Sequence, residues 1–143
     1  MKKVLLILWM LLVPGLAMAQ TSGPPIEDDG EGIAAILDDA LTTEKRDAEW
    51  ADQVERAARE ALIELASQGV SLRETVCGTT FCRAVLDFES LSRSEHLLED
   101  LTFKAPFNVG GWARLHDDGQ TVSLYFQREG YALPDLSSLN IQK

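Results

Sequence analysis

Cys77 and Cys82 are the two cysteines of this 143-residue chain, separated by Gly78-Thr79-Thr80-Phe81. Two thiols this close favour a structural disulfide wherever the compartment is oxidising. A redox-active couple is the alternative, though the spacing is wider than the two residues of thioredoxin-type sites and no helix N-terminus adjoins it to acidify a thiol. Metal binding needs further ligands, and the chain's histidines are His96 and His116 alone. A nucleophilic hydrolase needs a Ser or Cys beside a positioned base, yet no Gly-x-Ser-x-Gly elbow occurs. His96 falls in the first turn of an expected helix. His116 stands beside Asp117 and Asp118 at an expected turn, a trio that reads as solvated rather than as a cation site. Asp28-Asp29-Gly30-Glu31 lacks calcium-loop spacing, and Gly110-Gly111 leads into a strand rather than a helix, so no phosphate cradle forms. The expectation is a non-enzymatic chain with no cofactor and no metal site.

The N-terminus carries an address. Lys2 and Lys3 precede an unbroken apolar run from Val4 to Val13, Pro14-Gly15 breaks it, and Ala17-Met18-Ala19 is a small-x-small cleavage pattern. This is a signal peptide over residues 1–19, too short to span a bilayer. No cysteine follows it to carry a lipid. The mature chain begins at Gln20 as a periplasmic or secreted protein with no stable membrane anchor. Residues 1–19 hold two lysines and no acid, so cleavage makes the formal net charge of −10 two units more negative. That balance argues against nucleic acid, whose phosphates require clustered Lys and Arg, and against anionic lipid.

The remaining chain divides at its composition shifts. Residues 20–32, rich in Pro, Gly and acids, read as a disordered linker. Residues 33–130 form a single domain, and residues 131–143 a C-terminal tail. Ile33, Ile36, Leu37 and Leu41 recur at helical spacing. Asp47 then caps a helix whose apolar stripe runs through Trp50, Val54, Ala58, Leu62 and Leu65, with Asp52–Arg56 and Glu55–Arg59 pairs on its wet side and Gly69 past its end. From Val70 to Glu89 the period becomes two, which predicts a hairpin. Ser92 and Glu95 propose a capping box for a helix carrying Leu97, Leu98 and Leu101. Asp118-Gly119 suggests a type I′ turn, and counting outward pairs Leu115 with Val122, Ala113 with Leu124, and Trp112 with Tyr125. The order helix–hairpin–helix–hairpin assembles most economically as a two-layer α+β domain. Its four-stranded, mainly antiparallel sheet would carry helices on one face.

If the cysteines face each other, Cys77 lies on the polar face of its strand and Cys82 on the apolar face of the other. A β-bulge near Glu74–Val76 reconciles the two phases. The run Asp47-Ala48-Glu49-Trp50-Ala51, followed by Cys77-x4-Cys82-Arg83 and an alternating strand, resembles a group of small exported bacterial proteins of unknown function. These share a Trp-containing helix followed by a Cys-x4-Cys-Arg hairpin. The resemblance covers residues 47–88. It implies a periplasmic α+β domain with a structural disulfide, and it brings no catalytic residue.

The candidate binding face is the outer side of the sheet. The register sets Trp112, Arg114 and His116 in a row with Ser123 and Tyr125 beside them, a combination able to grip a peptide or a glycan. The same residues also fit a Trp–Tyr cross-strand pair that only stabilises the ribbon, and the tail could fold back over them. A strand edge is the alternative docking surface. The functional expectation is an exported domain binding a protein or cell-envelope component. The alternative is a thiol–disulfide protein using Cys77 and Cys82.

Overall fold

The structure, a computed structural model, describes residues 29–136; the expected signal peptide, the expected linker up to residue 28 and residues 137–143 lie outside them. Three helices, α1 (Asp29–Thr43), α2 (Ala48–Leu65) and α3 (Leu91–Leu101), accompany four strands, β1 (Val70–Cys77), β2 (Phe81–Phe88), β3 (Gly111–Leu115) and β4 (Thr121–Gln127). The strands form one antiparallel sheet in the order β1-β2-β4-β3. The α+β class with a four-stranded antiparallel sheet is thus the architecture of the domain.

Hydrophobic phase decides which face each helix covers. Cys82, Ala84, Leu86 and Phe88 alternate along β2 and meet Val122 and Phe126 of β4. The same cluster takes in Ala51, Ala58, Leu62 and Leu65 of α2 with Leu97 and Leu101 of α3. These two helices share one face, as expected. The expectation is corrected for α1. Its Ala34, Leu37 and Leu41 pack on Phe81 and Tyr125, which point to the opposite face. The apolar stripe of α1 is narrow and needs a second surface to bury it, and the outer ends of β2 and β4 supply one. The helix also begins at Asp29 rather than near Ile33, so the last residues of the acidic run, expected in the linker, are helical.

Asp47 caps α2 as its residue type requires, its side chain accepting from the Trp50 backbone N–H, and Gly69 ends the helical run at φ 83°. Asp52 and Glu55 pair with Arg46 upstream rather than with the arginines four residues on. For α3 the proposed capping box does not form. Ser90 is the N-cap, and its hydroxyl meets the Ser92 hydroxyl at 3.4 Å rather than capping a backbone N–H of the helix. Phe88 and Glu89 are already held through Gln120 and Gly69 carbonyls, and the helix starts directly after them.

The first hairpin has its bulge at Arg73, between Leu72 and Glu74, just ahead of the stretch where the cysteine phases required it. The extra residue turns Glu74 and Val76 outward and lets Cys77 face Cys82. In the second hairpin the register counted from Asp118-Gly119 holds at each strand pair, including Trp112 with Tyr125 and Leu115 with Val122. The turn itself is not type I′. That type needs positive φ at both central residues, and the positive values are confined to glycines, Gly119 at 67° among them. The Asp118 carboxylate accepts from the Gln120 and Thr121 backbone N–H groups, and the Thr121 hydroxyl donates to it as well. The Gly119 N–H bonds the His116 carbonyl, so the turn centres on Asp117-Asp118, one residue earlier than expected, and the bond from the His116 N–H to the Thr121 carbonyl keeps the register.

Candidate functional site

The cysteine pair is a closed site. Cys77 and Cys82 form a disulfide at the hairpin tip, with exposures of 2% and 0%. The α1–α2 connection straps across this tip. The Asp47 N–H bonds the Gly78 carbonyl at 3.2 Å, the Thr79 hydroxyl donates to the Lys45 carbonyl, and the Glu44 carboxylate accepts from the Thr80 N–H at 2.8 Å. Glu55 accepts from the Cys77 N–H, while Arg46 donates to the Cys77 carbonyl. Arg128 closes the other side. It donates to Asp47 at 2.9 Å and to the Thr79 carbonyl at 3.1 Å, and its guanidinium lies against the rings of Trp50 and Tyr131. The hydrogen bond from Arg128 holds the Asp47 carboxyl below the usual range, helped by the Trp50 N–H. Thiol exchange requires an attacking sulfur to reach the bond, and these contacts surround it.

The outer-face residues are divided by α1. Tyr125 is 1% exposed and Ser123 5%, so neither is open to a ligand. The Tyr125 hydroxyl donates to Asp38 of α1 at 2.9 Å, and Arg83 donates to the same carboxylate at 2.7 Å. Burial raises the Tyr125 phenol well above its ordinary range, and the bond to Asp38 adds to the rise. Leu133 and Leu136 also pack on this cluster, so part of the expected tail lies over the face. Trp112 stacks at a tilt against Tyr125 with centroids 5.7 Å apart. His116 shares a 2.8 Å hydrogen bond with the Ser123 hydroxyl. The candidate row is thus half interior. Trp112, Arg114 and His116, all on the β3 side, remain partly exposed.

Arg114 differs from the other half-buried arginines. Arg83 meets Asp38 and Glu74, and Arg128 meets Asp47. Arg114 has no carboxylate or carbonyl partner among the described residues, and its Nε is buried without an acceptor.

On the opposite side of β3 lies the feature that sequence reasoning missed. Leu98 and Leu101 of α3, Thr102, Phe107 and Val109 of the following loop, and Leu124 and Phe126 of β4 line an apolar groove of about 240 Å³. Gly111 and Ala113 form its rim. No periodicity signals it, because it arises where α3 stops short of the outermost strand. Ala113 is exposed, as are Leu115 at 43% and Phe103 at 80%.

The backbone of β3 is open along the same line. The Gln127 N–H bonds the Gly110 carbonyl and the His116 N–H bonds the Thr121 carbonyl. Antiparallel alternation therefore turns the even-numbered residues of β3 toward β4, and Gly111, Ala113 and Leu115 present their N–H and C=O groups outward.

No metal-ligand group of three or more His, Cys, Asp or Glu side chains forms among the described residues. His96 is exposed in a shallow hollow lined also by Ser67, Ser92, Arg93 and Asp100, and no hydrogen bond joins it to either serine. No described helix is long and apolar enough to cross a membrane. The chain matches no protein-family model, no curated protein and no solved structure.

Proposed function

We propose that this protein is an exported, non-enzymatic domain that binds a protein or cell-envelope component on the β3 side of its sheet. The observation that carries the reading is the juxtaposition at β3 of an unpaired strand edge, an apolar groove and exposed Leu115. Natural edges are ordinarily blunted by charge, proline or a bulge, and β3 has none of these on its groove side. Export is supported by the n-region, apolar run and cleavage pattern of residues 1–19 and by the disulfide. Membership in the group of exported proteins with a Trp helix and a Cys-x4-Cys-Arg hairpin is part of the same proposal. Burial of both cysteines supports a structural role for the bond over thiol exchange.

Site-specific photocrosslinking in the exporting cell tests the binding reading. Crosslinkers at Leu115 and Thr102 should give a defined adduct, and one at Arg73 on the far edge should not. Equal labelling from both edges, or none from β3, contradicts it. Redox titration tests the disulfide: a potential below about −300 mV marks a structural bond, whereas one near −200 mV would restore the thiol-exchange alternative.

A further inference from the structure

We propose that β3 takes up, as a fifth strand, an extended partner segment in which apolar side chains alternate with carboxylates. The apolar side chains would enter the α3–β3 groove and a carboxylate would meet Arg114. This deepens the binding reading above and rests on it.

Three observations converge on this occupant. The outward N–H and C=O groups of Gly111, Ala113 and Leu115 supply the main-chain template for strand addition. The rim of the groove is built from the two smallest side-chain positions of the strand, Gly111 and Ala113. An added strand places the side chains opposite these residues on their own face of the sheet. From there a Val or Leu reaches over the low rim onto Leu98, Leu124 and Phe126. Gly111 cannot be enlarged, since a Cβ there would lie 2.4 Å from the Tyr125 carbonyl oxygen.

The intervening side chains of the added strand fall on the other face, beside Trp112 and Arg114. Arg114 is the half-buried arginine without an acceptor, and a guanidinium in that setting selects a carboxylate through paired N–H bonds. The chain as a whole is acidic, but exposed charges farther off than about 8 Å are largely screened at physiological salt, so the local cation governs the choice. A second copy of this chain is disfavoured on the same ground. A paired β3 would bring tryptophan and another arginine to Arg114, and no acid.

The test uses the mature full-length chain and fluorescein-labelled synthetic peptides read by anisotropy. The probe is Val-Glu-Leu-Glu-Val with capped ends. Controls replace both glutamates by lysine or N-methylate the backbone at alternate residues, in each of the two phases. The glutamate peptide should bind saturably, with the lysine version weaker by about tenfold or more. N-methylation in one phase should abolish binding and in the other spare it. Arg114→Gln should erase the preference for glutamate over lysine. Ala113→Pro removes an N–H that faces away from β4, so it should leave the fold intact and block the peptide. Leu98→Lys should weaken binding without touching the edge. Binding that tolerates both N-methylated phases overturns strand addition, and a preference for lysine overturns the carboxylate assignment. A dimer dissolved by Ala113→Pro would give the edge to a second copy. Peptide binding that appears only on removal of residues 137–143 would give it to the chain's own terminus. Each of these last two outcomes also overturns the proposal. If no peptide binds while β3 crosslinks persist, this inference fails and the binding reading stands. If β3 gives no crosslink either, both fail.

Discussion

The two outer strands of the sheet have been finished in opposite ways. β1 runs for eight residues, bulges at Arg73, carries Arg73 and Glu74 on its outer course, and ends in a buried disulfide under a strap of side-chain bonds. Arg73 reaches across to Asp87 at 2.5 Å. β3 runs for five residues with no bulge in its pairing, and its groove-side positions are Gly111, Ala113 and Leu115. One edge is closed by covalent, charged and geometric means at once. The other is left flat and apolar beside a groove. Because the same sheet bears both, the contrast cannot come from the fold in general. It locates where the sequence tolerates an open template, and that is where a partner is most economically received.

Changes on the closed side should cost stability and leave binding alone. The largest effect is expected from Cys77→Ser with Cys82→Ser. Loop entropy for so short a ring accounts for about 2 kcal/mol, and two buried hydroxyls in place of sulfurs raise the total to about 3–4 kcal/mol in denaturant unfolding. Gly78→Ala comes next. A Cβ there would sit 2.1 Å from a Glu44 carboxylate oxygen whose partner oxygen holds the Thr80 N–H. Displacing that carboxylate should cost about 1–3 kcal/mol by the same measurement. Away from both edges, on the α1 face, Tyr125→Phe removes the hydroxyl that ties β4 to Asp38, a loss of about 1 kcal/mol, with faster amide exchange in α1 as its signature.

A pH-dependent effect sharpens the comparison at the β3–β4 turn. The Thr121 hydroxyl and the Gln120 and Thr121 N–H groups draw the Asp118 carboxyl down to about 2, from its ordinary 3.8. A carboxylate depressed in the folded state stabilises fully above the unfolded value and loses its contribution as pH falls toward the folded one. Acid titration should therefore loosen this hairpin between pH 4 and pH 2, and Asp118→Asn should remove that dependence. The smallest effect belongs to the open edge. Leu115→Lys should change stability by less than about 0.5 kcal/mol, since the side chain is already exposed, yet strongly diminish crosslinking from Thr102.

How much of this could be read beforehand follows from the range of each interaction. The second hairpin was legible to the residue, because an Asp-Gly turn and an alternating pattern fix register locally. The turn type was not, since the competition between backbone preference and the Asp118 carboxylate is decided by Thr121. The bulge was legible in kind from the cysteine phases and misplaced onto the residues after Arg73. α1 was visible as an apolar stripe, but its destination was not. Asp38, an acid next to Leu37, was the signal that a buried cation or hydroxyl awaited it, and Arg83 and Tyr125 answer from far along the chain. That contact closed half of the expected binding face. The groove at β3 was illegible because it is a gap between elements, set by how far α3 extends over a strand that follows it by about one loop.

Amide hydrogen exchange along β3 in the mature full-length protein tests the central claim most directly. The account predicts alternation: Trp112 and Arg114, bonded to β4, protected, and Ala113 and Leu115 exchanging rapidly beside them. Uniform protection of Ala113 and Leu115 in the isolated protein would mean the edge is already covered, and would contradict it.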